Sequence, residues 1–154
     1  MFTLTALGGT FDIIHIGHIL LIKKAISISE KIIIGLTSDS FIVKNGKTIT
    51  NNFEQRFENL EKVIHEKFPD CSFEITKLND DFGPAVIEGN VDALVVSDET
   101  REKGEVLNAL RKEQNLMPVE IITVPMKMAS DGNRISSTRI RNSEIDSSGN
   151  VLVD

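Results

Sequence analysis

Cysteine is almost missing from this chain. Cys71 stands alone among 154 residues, which excludes an internal disulfide and leaves a buried or half-buried thiol suited to a reducing compartment. No reactive-thiol signature surrounds it. Long apolar runs are missing too: none approaches the ~20 residues needed to cross a bilayer. The N-terminus enters a predicted strand almost at once, without the pattern of a signal peptide, so the expected location is the cytoplasm. There is no pair of carboxylates in acid–base spacing and no Ser–His–Asp set, so the chain does not advertise general-base or covalent-nucleophile chemistry. Positive charge is in deficit, with 17 Lys and Arg against 23 Asp and Glu, net −6. That argues against broad nucleic-acid binding, which is driven by phosphate neutralisation. An anionic ligand would need a local basic cluster. Internal repeats and low-complexity linkers are also absent.

What is present is a globular pattern, 40% apolar and 26% charged, long enough for one domain with a real core. Apolar runs predict strands at 2–7, 31–36, 72–77, 93–96 and 120–124. Helical spacing predicts helices at 17–29, 52–67, 84–88 and 101–114, with a short one beginning near Ser136 or Ser137. Ile32-Ile33-Ile34 and Leu94-Val95-Val96 are apolar without alternation, as in a parallel sheet covered on both faces. The expected fold is α/β, a single Rossmann-like doubly wound domain with a roughly five-stranded parallel sheet, over 1–142. Residues 143–154 form a C-terminal tail, polar and glycine-containing, expected to be mobile or loosely docked. In such sheets ligands lie beyond the carboxyl ends of the strands, so the residues after each strand are the place to search.

After the first strand comes Gly8-Gly9-Thr10-Phe11-Asp12-Ile13-Ile14-His15-Ile16-Gly17-His18. Glycines at a strand end let an anion approach the main chain. A helix N-terminus adds unpaired N–H groups and partial positive charge, which favour phosphate. His15 and His18, three residues apart, point the same way in a helical turn, with Gly17 keeping that face open. After the second strand, Lys44-Asn45-Gly46-Lys47 reads either as a solvated basic turn or as two mobile phosphate contacts. Phe53, Phe57, Leu60 and Ile64 mark a core face of the next helix; Arg56 either reaches the site or is solvated. Asp80-Asp81 before Gly83-Pro84 suits turn chemistry better than a metal. Ser97-Asp98-Glu99-Thr100 can cap a helix, hold a nucleotide, or both. After the fifth strand, Ser136 and Ser137 fit a cap. Arg139 and Arg141 do not, because positive charge in a first turn opposes the helix dipole unless an anion is present.

Two of these stretches together resemble the nucleotidyltransferase superfamily, which also includes the class I aminoacyl-tRNA synthetases. Gly8-Gly9-Thr10-Phe11-Asp12 followed by His15-Ile16-Gly17-His18 is similar to its H-x-G-H signature. Ile135-Ser136-Ser137-Thr138-Arg139-Ile140-Arg141 is similar to its second signature, I-S-S-T-x-I-R. A synthetase is set aside, because the chain is too short and too acidic, although Lys127-Met128-Ala129-Ser130 faintly resembles that group's lysine loop. Lys44 to Lys47, Phe53-Glu54-Gln55-Arg56, Gly83-Pro84-Ala85, Asp92-Ala93-Leu94-Val95-Val96-Ser97-Asp98-Glu99-Thr100 and Asp131-Gly132 narrow the resemblance to phosphopantetheine adenylyltransferases of the archaeal and eukaryotic type. Asp98 where that family often has Glu, and Asn51-Asn52 in place of a proline, are departures.

The resemblance implies an enzyme that joins ATP and 4′-phosphopantetheine, reversibly, into dephospho-coenzyme A and pyrophosphate. It implies that Gly8, Gly9, His15, His18, Asp98, Ser136, Ser137, Thr138 and Arg139 bind the nucleotide. Thr10, Lys44 and Lys47 would contact the acceptor, with His18, Lys44 and Thr10 acting in catalysis. Mg²⁺ would arrive with ATP, without protein metal ligands that the sequence reveals. A monomer with no nucleic-acid or membrane partner is the expectation. Alternatives are another small nucleotidyltransferase, using CTP or forming FAD or NAD, and a nucleotide-binding module without catalysis. The glycine loop lacks G-x-G-x-x-G spacing, which weakens the last.

Overall fold

Apolar runs without alternation need cover on both faces, and in the computed structural model of the chain they have it. The structure describes residues 1–83, 89–98, 100–125, 128–133, 135 and 137–152, with the backbone alone at Ser137 and Thr138. The elements are β1 (Phe2–Gly9), α1 (Ile16–Ile28), β2 (Ser29–Thr37), α2 (Asp39–Lys44), α3 (Phe53–Lys67), β3 (Ser72–Leu78), β4 (Ala93–Ser97), α4 (Arg101–Glu113), β5 (Glu120–Val124) and α5 (Ser137–Arg141). The five strands form one sheet in the order β3-β2-β1-β4-β5, and every pairing is parallel. This is the expected Rossmann-like architecture.

Successive residues of a strand point to opposite faces, and the core divides accordingly. Leu7, Ile32, Ile34, Leu36 and Val95 face Ile22 and Ala25 of α1 and Leu60 and Ile64 of α3. Ala6, Ile33, Leu94 and Val96 face the other way and meet Leu107 of α4. Glycine again marks close packing: a Cβ at Gly104 of α4 would lie 2.7 Å from Ile121 Cδ1.

The strand order places the functional edge. From β1 the chain runs outward through β2 to β3, then crosses back to β4 on the other side of β1. The neighbours β1 and β4 therefore diverge beyond their carboxyl ends, the crevice where such sheets bind ligands. Gly8 and Gly9 end β1, and Ser97 ends β4.

Two expectations need revision. The glycine turn after Lys44 is present, with Gly46 at φ +73°, but the residues leading into it form a short helix that was not expected, Asp39–Lys44, with Ser38 Oγ accepting the Phe41 N–H at its start. Residues 143–152 are docked rather than loose, with Ile145 only 1% exposed. It joins Ala129 and Ile135 in a third apolar cluster, against which Ile16 and Ile140 pack. The helix expected at 84–88 lies outside the described residues.

Candidate functional site

The two histidines of the first signature cap α1 with each other's help. His15 is the N-cap residue, and its Nδ1 accepts the Gly17 N–H at 3.1 Å. His18 Nδ1 accepts the His15 N–H, also at 3.1 Å. A reciprocal cap of this kind normally uses Ser or Thr with Glu. Built from imidazoles, it has a chemical consequence: a ring nitrogen that accepts an N–H carries no proton, so both rings hold their proton on Nε2. The rings stack with centroids 3.9 Å apart. Burial, and the cost of placing a second positive charge beside a protonated His15, push the His18 pKa down to about 3. At neutral pH His18 is therefore an uncharged Nε2–H donor.

Gly17 makes this possible, because a Cβ there would lie 2.9 Å from His15 Cε1 and 3.0 Å from Nδ1. The expected role of open backbone N–H groups needs correction, however. The His15 and Gly17 amides are spent on the cap, the His15 side chain also receives the His18 N–H, and Ile16 donates to Ser147 O at 2.9 Å. What the helix end can offer an anion is therefore its dipole and the imidazole Nε2–H groups rather than these backbone amides.

The loop between Gly9 and His15 is held under tension. Phe11 has φ +49°, a left-handed conformation costly for a bulky side chain. Its ring is buried and packs on His18 at 4.8 Å. Gly9 makes room for that ring, since a Cβ would approach it to 3.1 Å. Thr10 Oγ1 accepts a hydrogen bond from Thr37 Oγ1 at 3.1 Å, leaving its own proton to donate.

What over-determines this loop is a network only partly read from the sequence. Arg56 is completely buried, not solvated. It donates to Thr10 O (3.0 Å), Asn51 O (3.1 Å) and Asp39 Oδ1 (2.7 Å). Burial works to raise the Asp39 pKa, but the Arg56 hydrogen bond, with help from the Phe53 N–H and Lys77, outweighs it and lowers the carboxyl. Asp12, also buried, accepts the N–H groups of Thr50 (2.8 Å) and Asn51 (2.9 Å) and a hydrogen bond from Arg141 Nη2. Asn51 Nδ2 returns one to Asp12 O at 2.8 Å. Asn52, the second departure from the expected proline, caps α3 reciprocally with Gln55. The two arginines thus tie the loops after β1, β2 and β5 together.

The remaining candidates are placed as follows. Lys44 ends α2, and Lys47 follows Gly46, which turns with φ +73°. Both lysines are exposed. They leave from β2, the neighbour of β1, on the same sheet edge as the glycine loop. Asp98 follows β4 and is exposed; it does not cap α4, whose N-cap is Thr100, hydrogen-bonded to Ser97 Oγ at 3.0 Å. Asp80 accepts the Phe82 N–H, which is turn chemistry. Ser136 and Lys127 lie outside the described residues, as do the side chains of Ser137 and Thr138.

Arg139 is half-buried and pairs with Asp131 at 2.5 Å and Glu144 at 3.7 Å. The hydrogen bond between them lowers the Asp131 pKa and raises that of Arg139. Both arginines stand in the last turn of the five-residue α5, where the helix dipole favours positive charge, and not in the first turn as expected. Asp12 pairs with Arg141 as Asp131 does with Arg139, while the buried Arg141 Nε finds no hydrogen-bond partner among the described residues. Among the described residues no group of three or more His, Cys, Asp or Glu is arranged to hold a metal ion, and no helix is long and apolar enough to cross a membrane.

Comparison with known proteins agrees with this arrangement. A family model described as cytidylyltransferase-like matches residues 6–143. A phosphopantetheine adenylyltransferase of Methanosarcina barkeri is 44% identical over 149 residues, covering 95% of this chain and 91% of that one. One of Methanothermobacter thermautotrophicus is 38% identical over 151 residues, covering 98% and 90%. A solved Archaeoglobus fulgidus protein, described as of unknown function, superposes with TM-score 0.72 at 30% identity, over 86% of this chain and 98% of its own. A neutral imidazole pair at the switch point of a parallel sheet, in a chain matched from β1 to beyond α5, leads to one conclusion: the chain belongs to the cytidylyltransferase-like nucleotidyltransferase family, beside the archaeal phosphopantetheine adenylyltransferases.

Proposed function

We propose that this protein transfers the adenylyl group of ATP to 4′-phosphopantetheine, giving dephospho-coenzyme A and pyrophosphate, in a step of coenzyme A synthesis. A phosphate oxygen of the acceptor attacks the α-phosphorus of ATP in line, and the bond to the β-phosphate oxygen breaks. The nucleophile is already ionised near neutral pH, so no strong general base is needed. The barrier lies in bringing polyanions together and in stabilising charge on the α-phosphate. The observation that carries the reading is the reciprocal histidine cap, which holds uncharged Nε2–H donors at the carboxyl end of β1. The relatives' name supplies the acceptor.

In this mechanism His18 donates to the α-phosphate as it becomes five-coordinate, and His15 to the β-phosphate. A neutral donor stays in place without charging or releasing a proton. Gly8 and Gly9 let the phosphates approach the β1 end. The Thr10 hydroxyl, its acceptor side taken by Thr37, donates to the attacking phosphate. Lys44 and Lys47 draw the acceptor in as mobile cations. Asp98 stands at the β4 side for the nucleoside. Ser136, Ser137, Thr138 and Arg139 receive the β- and γ-phosphates and the departing pyrophosphate. Arg139 exchanges its present carboxylate partners for phosphate oxygens, two of which can likewise accept a guanidinium's paired N–H groups. Mg²⁺ would arrive with ATP and would supply neutralisation of the phosphate charge. The protein acts as a monomer in the cytoplasm, without nucleic-acid or membrane partners.

Pyrophosphate release with Mg²⁺ and either ATP or CTP, with 4′-phosphopantetheine as acceptor, tests this. Turnover with ATP and not CTP is expected. Turnover with CTP, or only with a different phosphorylated acceptor, moves the protein to another nucleotidyltransferase activity. ATP binding without pyrophosphate release from any acceptor leaves a binding module.

A further inference from the structure

The docked segment 143–152 touches both phosphate signatures. Its Ser147 carbonyl accepts the Ile16 N–H at 2.9 Å, inside the first signature. Its Ile145 is buried in the cluster with Ala129 and Ile135, where Ile16 of α1 and Ile140 of α5 also pack. The Glu144 N–H donates to Arg139 O at 2.9 Å, and the Glu144 carboxylate stands 3.7 Å from Arg139 Nε. A tight turn locks the segment: Asp146 Oδ1 accepts the Ser148 and Asn150 N–H groups at 3.0 and 2.9 Å. Further along, Gly149 O accepts the Ser130 N–H at 2.7 Å, and the Val151 N–H donates to Ser130 Oγ at 2.8 Å.

The segment matters because α5 cannot place itself. Five residues are far below the ~12–15 at which an isolated helix becomes marginally stable. Its apolar support is the third cluster, of which Ile145 is the member most withdrawn from solvent, at 1% exposure. The neighbouring element with which it must act in concert is α1, and Ser147 fixes that helix at its first amide.

We propose that residues 143–152 are a clasp that holds the second signature in register with the first, with Ile145 and Ser147 as positioning residues for the nucleotide phosphates. This rests on the nucleotidyltransferase reading of the two signatures. Gly149 is the hinge of the clasp: it turns with φ +89°, and a Cβ there would lie 2.6 Å from Ile135 Cδ1 and 3.3 Å from Ala129 Cα. The clasp acts on the triphosphate side, so its loss weakens ATP and pyrophosphate while sparing the acceptor held from the β2 side.

The test uses the full chain carrying Gly149→Ala, Ile145→Ser or, as the conservative variant, Ile145→Val. The readouts are Kd for Mg·ATP and for pyrophosphate by calorimetry, KM for each substrate, and thermal unfolding. Gly149→Ala and Ile145→Ser are expected to weaken ATP and pyrophosphate by about tenfold, the effect of ~1.4 kcal/mol. KM for 4′-phosphopantetheine is expected to stay within about twofold, and Ile145→Val to restore ATP binding. ATP and pyrophosphate affinities at wild-type level in folded Gly149→Ala and Ile145→Ser proteins would overturn the proposal.

If those variants do not fold, hydrogen exchange on the wild-type chain decides: Mg·ATP is expected to slow exchange of the Ile16, Glu144 and Val151 amides together. Unchanged exchange there at saturating ATP overturns the clasp. Because these readouts need only ATP or pyrophosphate, a wild-type protein that binds ATP yet does not use 4′-phosphopantetheine sinks the acceptor assignment and leaves the clasp testable.

Discussion

Gly17→Ala adds a single methyl group, and the structure separates its effect on the fold from its effect on the site. The new Cβ would lie 2.9 Å from His15 Cε1, closer than such contacts tolerate, so the ring must swing away. That breaks the cap in which His15 Nδ1 accepts the Gly17 N–H, a loss of about 1 kcal/mol. Replacing a helical Gly by Ala returns up to ~1 kcal/mol through helix propensity. The two terms oppose and nearly cancel, so Tm is expected to move by no more than ~4 °C.

The site has no such compensation. His15 leaves its stack on His18, and the hydrogen bond proposed from it to a phosphate oxygen is lost or misdirected. A hydrogen bond to a charged group contributes about 1.5–3 kcal/mol, a roughly 10- to 150-fold fall in kcat/KM for ATP. Steady-state pyrophosphate release and a thermal melt on the same preparation check both halves. Unaltered kcat/KM in a folded variant would refute the claim that Gly17 exists to seat His15. A fall in Tm of more than ~10 °C would refute the claim that site and stability are separable here.

Three further outcomes follow from the geometry. The His18 pKa lies near 3 in the folded chain against 6.5 ordinarily, so between those values the unfolded state binds a proton that the folded state refuses. Stability is lost as pH falls through that window, and His18→Asn is expected to flatten the slope of urea-unfolding free energy between pH 6.5 and 4; parallel slopes would contradict it. Thr5 Oγ1 is buried in the middle of β1 without a hydrogen-bond partner among the described residues, so Thr5→Val is expected to stabilise by about 1–2 kcal/mol in urea unfolding, and destabilisation would show that the hydroxyl is hydrogen-bonded. Arg56→Met removes the three hydrogen bonds of a fully buried guanidinium and is expected to destabilise by about 3 kcal/mol, the lower end for a broken buried pair because Asp39 is part-exposed; a loss under ~1 kcal/mol, read from the urea midpoint, would deny it a structural role.

Much of the fold is legible in the chain because its signals are periodic and local. Each strand is found within two residues of its expected ends, since continuous apolar runs bounded by turn residues have few other uses in a parallel sheet. Arg56 was also readable in principle. It stands three residues after Phe53 and four before Leu60, on the stripe that faces the core, and a cation on such a stripe must be paired. The helix at Asp39–Lys44 carried a cap signal in Ser38, but six residues give too little periodicity to register.

What stayed hidden depends on contacts between distant segments. Ile145 looks like an isolated apolar residue in a polar stretch, and only folding brings it to Ala129, Ile135 and Ile16. Asp12, within the first signature, meets Arg141, 129 residues away. The histidine pair was visible as spacing, but not the use of both Nδ1 atoms in the cap. That detail turns the expected N–H cradle into a pair of imidazole donors.

The most direct measurement is the protonation state of those rings. Two-bond ¹⁵N–¹H correlation spectra of histidine-labelled protein at pH 6, before and after Mg·ATP, report the tautomer and charge of each imidazole. The account predicts His15 and His18 as Nε2–H tautomers, His18 uncharged, with both Nε2 resonances shifting when ATP binds. A doubly protonated His18 at that pH, or Nδ1–H tautomers, would contradict the claim that the helix cap sets the chemistry of the site.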